Sequence, residues 1–165
     1  KKILIVFRTN GNMFAGGNSV GQYWITTTGG INSAEEITGN HPAMVKIADF
    51  EQVLEWNPDI IYLTNFEETM PEDIFGNKIP GQEWSGTTAF KNRSVYKIPV
   101  GNYRWYPPSL VGPLMRKWMA GKNYPDIFSW DMESEIREYY KKYFDYSPSG
   151  AEINNILFPA GSGNF

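Results

Sequence analysis

Continuous apolar runs, not alternating ones, mark the strands of this chain. Ile3-Leu4-Ile5-Val6-Phe7 and Ile60-Ile61-Tyr62-Leu63 are rich in β-branched residues and flanked by polar, turn-forming ones, the pattern of strands buried on both faces. Ser94-Val95-Tyr96-Lys97-Ile98, closed by Pro99, reads as a third strand, and Met44–Ile47 as a short extra one. Between the runs the period lengthens to that of helices. Ser19, with Gln22 three positions on, predicts a capped helix start, Val20, Tyr23 and Trp24 its apolar face, and Gly29-Gly30 its stop. Asp49 with Gln52 repeats the signal, and that helix presents Phe50, Val53 and Leu54 before ending at Asn57-Pro58.

In the second half, Leu110, Leu114 and Trp118 run beside Val111, Met115 and Met119 at a spacing of four. The two rows predict a helix over 109–120, which accommodates Pro113 in its first turn. Asp131, Glu133 and Glu135 ahead of Lys141 and Lys142 match the dipole of a following helix, whose buried stripe is Ile136, Tyr139, Tyr140, Tyr143 and Phe144. Residues 158–165, with two Gly, one Pro and one Ser, read as a flexible tail, which leaves 1–157 as one domain. Strands separated by helices predict a layered α/β domain with a mostly parallel, Rossmann-like sheet. Ligands of such folds meet the loops beyond the carboxyl ends of the strands, here Arg8–Asn18, Asn65–Met70 and Val100–Ser109.

Composition narrows the chemistry. Fifteen Lys and Arg against eighteen Asp and Glu give a formal charge of −3, without the basic excess of a nucleic-acid footprint. The chain has no Cys and a single His, His41, so the side chains of zinc, haem-thiolate and iron–sulfur sites are nearly absent; no resident metal or cofactor is expected. Aromatic residues make up 16% of the chain, more than its core can hide, and suit the recognition of flat or ring-bearing partners. No apolar run approaches the roughly 20 residues of a membrane span.

Four motifs invite a chemical reading. Gly11-Asn12-Met13-Phe14-Ala15-Gly16 lies where a phosphate loop would, but the Lys and Ser/Thr that hold phosphate and magnesium are missing after it. Gly17-Asn18-Ser19-Val20-Gly21 matches the G-x-S-x-G elbow of hydrolases, yet some eleven residues separate Ser19 from the strand ending at Phe7, and helix capping accounts for the serine. Glu67, Glu68, Glu72 and Asp73 form an acidic cluster after the second strand, either a solvated helix start or a docking surface. Tyr103-Arg104-Trp105-Tyr106-Pro107-Pro108-Ser109 gathers three aromatics and a guanidinium in a proline-stiffened loop, able to stack on a planar ligand and pair with its anionic groups, or to pack on a helix.

The order of these blocks resembles a known family. Asp49-Phe50-Glu51-Gln52-Val53-Leu54-Glu55-Trp56-Asn57-Pro58-Asp59-Ile60-Ile61-Tyr62, then Ser94-Val95-Tyr96-Lys97-Ile98-Pro99, then Arg104-Trp105-Tyr106-Pro107-Pro108-Ser109 ahead of a helix ending near Tyr124-Pro125, is similar to the periplasmic binding proteins of ABC importers for ferric siderophores, haem and cobalamin. The resemblance implies two α/β lobes joined by a long helix, with the ligand clamped between them. It implies that this chain is the C-terminal three-layer α/β/α lobe, with the N-terminal lobe and linker helix expected outside it. It implies a binding function rather than catalysis, and a place outside the cytoplasm, in the periplasm or lipid-anchored on the outer face of the membrane. Arg8, Asn10, Phe14, Asn65, Tyr103, Arg104 and Trp105 are then expected around one open ligand-binding face. The acid that family members present to the membrane permease is expected at Glu72, with Glu67 and Glu68 behind it. The ligand class that the resemblance implies is a metal chelate. A carbohydrate-binding module using the Trp and Tyr excess, and a hydrolase using Ser19, are the alternative readings.

Overall fold

A computed structural model describes residues 1–41, 44–46 and 49–160. The elements run β1 (Lys2–Arg8), β2 (Met13–Phe14), α1 (Val20–Thr27), β3 (Ile31–Asn32), β4 (Val45–Lys46), α2 (Glu51–Trp56) and β5 (Ile60–Leu63). They continue as α3 (Pro71–Phe75), a 3-10 turn at Trp84–Gly86, α4 (Thr88–Lys91), β6 (Val95–Lys97), α5 (Gly112–Asn123), α6 (Met132–Phe144) and α7 (Gly150–Leu157). The three predicted strands are neighbours: β1 pairs with β5 and β5 with β6, all parallel, in the order β4-β2-β1-β5-β6, with β3 parallel to the start of β1.

Alternation along β1 builds the layers. Ile3, Ile5 and Phe7 join Trp24, Ile25, Leu114, Met115 and Ile136 on the face covered by α1 and α5–α7. Leu4 and Val6 join Val53, Ile74, Trp84 and Ala89 on the other. The fold is therefore the expected three-layer α/β/α arrangement.

One departure matters for the site. The stretch after β1 is not an open loop: Thr9–Asn12 turns back, with positive φ at Gly11 (78°) and Asn12 (47°), and β2 returns antiparallel to β1 with Phe14 opposite Val6. Glycine and asparagine tolerate that left-handed backbone, which is why the turn falls there. β2 then takes β4 as its outer neighbour, within the predicted Met44–Ile47 strand; Ile47 lies outside the described residues.

Smaller differences follow from local contacts. Ser19 caps α1 as expected, its Oγ donating to Gly16 O and accepting from Gln22 N–H, but the Gln22 amide turns away to Glu35 and Asn32 and completes no box. The helix predicted over 109–120 begins at Gly112 with Pro113 in its first turn, and Leu110, assigned to its apolar row, is exposed. Tyr23, Leu54 and Tyr143 likewise sit at the surface. The glycines of the candidate phosphate loop have a packing role: a Cβ on Gly16 would lie 2.3 Å from Ile37 O, and one on Gly17 2.0 Å from Glu35 O.

The sequence reading did not identify α7. Its start is a full capping box in which Ser149 Oγ accepts from Glu152 N–H while the Glu152 carboxylate accepts from Ser149 N–H. Ser149→Ala is expected to lower the unfolding free energy by about 1 kcal/mol, readable in urea denaturation. A change within error would mean that the cap adds nothing beyond what water supplies. Of the predicted tail, Phe158–Ala160 continue from α7 with Phe158 exposed, and 161–165 lie outside the described residues.

Candidate functional site

The carboxyl ends of β1, β5 and β6 lie side by side, so residues just beyond them share one rim. At a strand spacing of about 4.8 Å, the exits from β1 and β6 stand roughly 10 Å apart. Arg8 and Asn10, at the β1 exit, are exposed. Beyond β5, Phe66 is partly exposed and stacks on Phe7, centroids 5.3 Å apart.

Beyond β6 the chain makes a tight excursion closed by the Val100–Arg104 bridge and by Gly101 N–H donating to Tyr103 O. Tyr103 stands at its tip, half exposed. Arg104 reaches back: its Nε donates to Asn65 O at 3.0 Å, and its guanidinium carbon lies 5.1 Å from the Phe66 ring centre. Such a cation over an aromatic face is attracted by the ring quadrupole, which sets the guanidinium beside Phe66 at the rim.

Three of the seven expected ligand residues are not on this face. Trp105 is fully buried among Ile98, Val111, Leu114 and Tyr140, its backbone N–H bonded to Pro99 O, while Arg104 beside it turns to the rim. Phe14 is buried by the β2 return, against Leu4, Val6 and the edge of Trp56. Asn65 is fully buried beneath the rim, and neither polar atom of its side chain has a hydrogen-bond partner among the described residues. Arg8, Asn10, Tyr103 and Arg104 remain at the surface, and Phe66 joins them. Its signal in the sequence was its position, the first apolar residue past the end of β5.

The acidic cluster divides as well. Glu72 is exposed in the first turn of α3, and Glu68 is exposed ahead of it. Asp73 caps α3 by accepting from Met70 N–H at 3.0 Å, which holds its carboxyl below the ordinary range. Glu67 is turned inward: both carboxylate oxygens accept from Thr9 N–H, at 2.9 and 2.8 Å. Burial pushes its pKa up against those bonds and against the nearby charge of Lys97. The buried Lys97 ammonium donates at 2.8 Å to the carbonyls of Glu67 and Thr69, and desolvation pulls its pKa down to about 8 despite Glu67, Asp73 and Glu68 around it. Glu67 is thus an internal tether and not a free docking acid.

The model of the periplasmic binding protein family matches residues 1–100. The chain belongs to that family. Of solved family structures, a periplasmic solute binding protein from Veillonella parvula is 39% identical, with a TM-score of 0.87 over 94% of this chain and 46% of its own. The CeuE protein of Helicobacter pylori, solved in a nickel–histidine complex, is 26% identical, with a TM-score of 0.73 over 96% of this chain and 48% of its own. The molybdate-binding protein MolA of Haemophilus influenzae is 30% identical over 110 residues, which make up 64% of this chain and 30% of MolA. This chain therefore spans less than half the length of these periplasmic binding proteins.

A groove of about 620 Å³ lies between the edge strand β6 and α5, with Tyr96, Trp118, Phe128 and Trp130 among its walls, and it reaches Met70, Glu72 and Lys97. No described helix is long and apolar enough to cross a membrane.

Proposed function

We propose that this chain is one lobe, the C-terminal one, of the substrate-binding component of an ABC importer, and that its rim is half of a site for an anionic metal complex such as a ferric siderophore. The observation that carries this reading is the Arg104 guanidinium laid across Phe66, with Tyr103 and Arg8 exposed on the same rim. A guanidinium lying on a ring face, with a second cation and a phenol exposed nearby, favours a ligand that carries negative charge on a flat organic shell, as a complexed metal does. The periplasmic binding protein relatives, about twice the length of this chain, support a second lobe that would close on this rim. Glu72, exposed at the start of α3, is the acid placed to meet a basic permease surface in the periplasm or at the outer face of the membrane, with Glu68 beside it.

The carbohydrate reading needs Trp105 at the surface and loses its main residue to the core. The hydrolase reading loses Ser19 to helix capping.

An open half-site leaves charges screened by solvent. This lobe alone is therefore expected to bind at least roughly a thousandfold more weakly than the two-lobe protein, a difference of about 4 kcal/mol. Titration of both with ferric siderophores, haem and cobalamin, followed by tryptophan fluorescence, tests this, with Arg104→Ala expected to abolish the residual binding of the lobe. Equal, tight binding by the two forms, or binding indifferent to Arg104→Ala, would overturn the reading.

A further inference from the structure

Arg8 and Asn10 flank Thr9, and Thr9 is where the rim is fastened. Its residue is only 4% exposed. Its N–H lies between the two Glu67 carboxylate oxygens, and its hydroxyl sits 3.3 Å from Glu67 Oε2 and 3.0 Å from the Thr69 hydroxyl. Its carbonyl accepts from the Gln82 amide at 2.7 Å, and the same amide reaches Asn12 Oδ1 at 3.2 Å. Gln82 is in turn fixed by Trp84 Nε1, which donates to Gln82 Oε1. Beneath this, Lys97 ties down the backbone on both sides of Glu68 through the carbonyls of Glu67 and Thr69.

We propose that Glu67, seated by Lys97, is a positioning residue of the rim, setting the Thr9–Asn12 turn and with it the places of Arg8 and Asn10. The inference deepens the reading of the rim as a ligand half-site and rests on it for its functional meaning, but not for its geometry. A β-turn of this kind is held by one backbone bond, here Asn12 N–H to Thr9 O, and left-handed conformations at two successive residues are poorly held without further restraint. A carboxylate accepting from a backbone N–H forms a charge-assisted bond, roughly twice as strong as a neutral one. Burying that carboxylate is unfavourable, so the arrangement persists because Thr9, Thr69 and the Lys97 charge together hold it.

The test uses the amide of Thr9 as its reporter and needs no ligand. In Glu67→Gln the side chain keeps its shape, but one acceptor becomes a donor facing the Thr9 N–H. Hydrogen exchange of the Thr9 amide is expected to accelerate at least tenfold, with shifts at Asn10–Asn12, while the amide of Ile61, bonded to Ser94 O in the sheet, exchanges as before. Equal acceleration at Ile61 would overturn the proposal, since Glu67 would then be holding the whole fold; so would unchanged exchange at Thr9.

Should Glu67→Gln fail to fold, the unmodified chain decides. On acidification its Thr9 amide resonance is expected to titrate with a midpoint above the ordinary Glu value, in step with Asn10–Asn12, and a flat profile would overturn the proposal. The groups facing this cluster are Lys97 on β6, Glu68 beside it and Asp73 on α3. Glu72, Lys117, Lys122, Asp131 and Glu133 line the neighbouring groove that reaches Lys97. Lys97→Met is expected to move the midpoint upward, because Glu67 loses its nearby positive charge; a midpoint that stays put would remove Lys97 from the assignment. If the rim bound no chelate while Thr9 behaved as stated, the ligand reading would fall and the positioning role would stand.

Discussion

Trp105→Ala is expected to lower the unfolding free energy of this chain by about 3–5 kcal/mol, the range for truncating a large buried aromatic. The side chain is fully enclosed by residues from the β6 exit, α5 and α6, and its removal opens a cavity where the two helices meet the sheet. Its indole N–H has no hydrogen-bond partner among the described residues, and a Cβ on Gly101 would stand 3.4 Å from it. Trp105→Phe discards that orphan donor and restores most of the volume, so it is expected to cost well under half as much. Tyr103→Ala, at the exposed tip of the same loop, is expected to change stability by no more than about 0.5 kcal/mol. Urea denaturation of the three variants measures this. A stable Trp105→Ala protein with an altered ligand response would return Trp105 to the binding face.

The second large effect concerns pH. Lys97 titrates near 8 in the folded chain and near 10.5 when unfolded, so its folded value is depressed. Below pH 8 both states hold the proton and Lys97 adds no slope. Between 8 and 10.5 the unfolded chain binds more protons than the folded one, so the free energy of unfolding rises with pH. At 1.36 kcal/mol per unit the gain is about 3 kcal/mol over that window. The difference in stability between the unmodified chain and Lys97→Met should grow by that order from pH 8 to 10.5, whatever its value at neutrality. Taking the difference removes the opposing effect of the buried phenols of Tyr62 and Tyr106, whose pKa values burial raises in both proteins. Parallel profiles for the two proteins would mean that Lys97 keeps its proton when folded. Glu67 acts in the opposite sense: its raised carboxyl contributes stability that is present below the unfolded value and lost as pH rises through the folded one.

The layered architecture was legible in the chain because it depends on local pattern. Unbroken, β-branched apolar runs at Ile3–Phe7 and Ile60–Leu63, short and bounded by turn-forming residues, fit strands covered on both faces, and the four-residue rows from Val111 to Met119 fit a helix packed along one side. Ser19 announced its helix because a cap bonds within its own turn, and Asp131, Glu133 and Glu135 announced theirs because acids suit the positive end of a helix; that Asp131 is also its cap emerged from the structure. Arg8, Asn10, Tyr103 and Arg104 could be placed because residues just past a parallel strand emerge on one edge whatever the rest of the fold does.

What the sequence could not decide were the directions of single side chains and the pairings between distant segments. Nothing local shows which aromatic of the loop turns inward, Tyr103 or Trp105; the Val100–Arg104 bridge and the bond from Trp105 N–H to Pro99 O send Trp105 to the core. Phe14 is interior because β2 folds back on β1, a pairing of two residues too short to leave a periodic signal. Glu67, Glu68 and Glu72 are chemically alike in sequence, yet only Glu67 meets Thr9, 58 positions away. Burial and a hydrogen-bond partner distinguish one carboxylate from the next, and both belong to the assembled structure and not to the order of the residues.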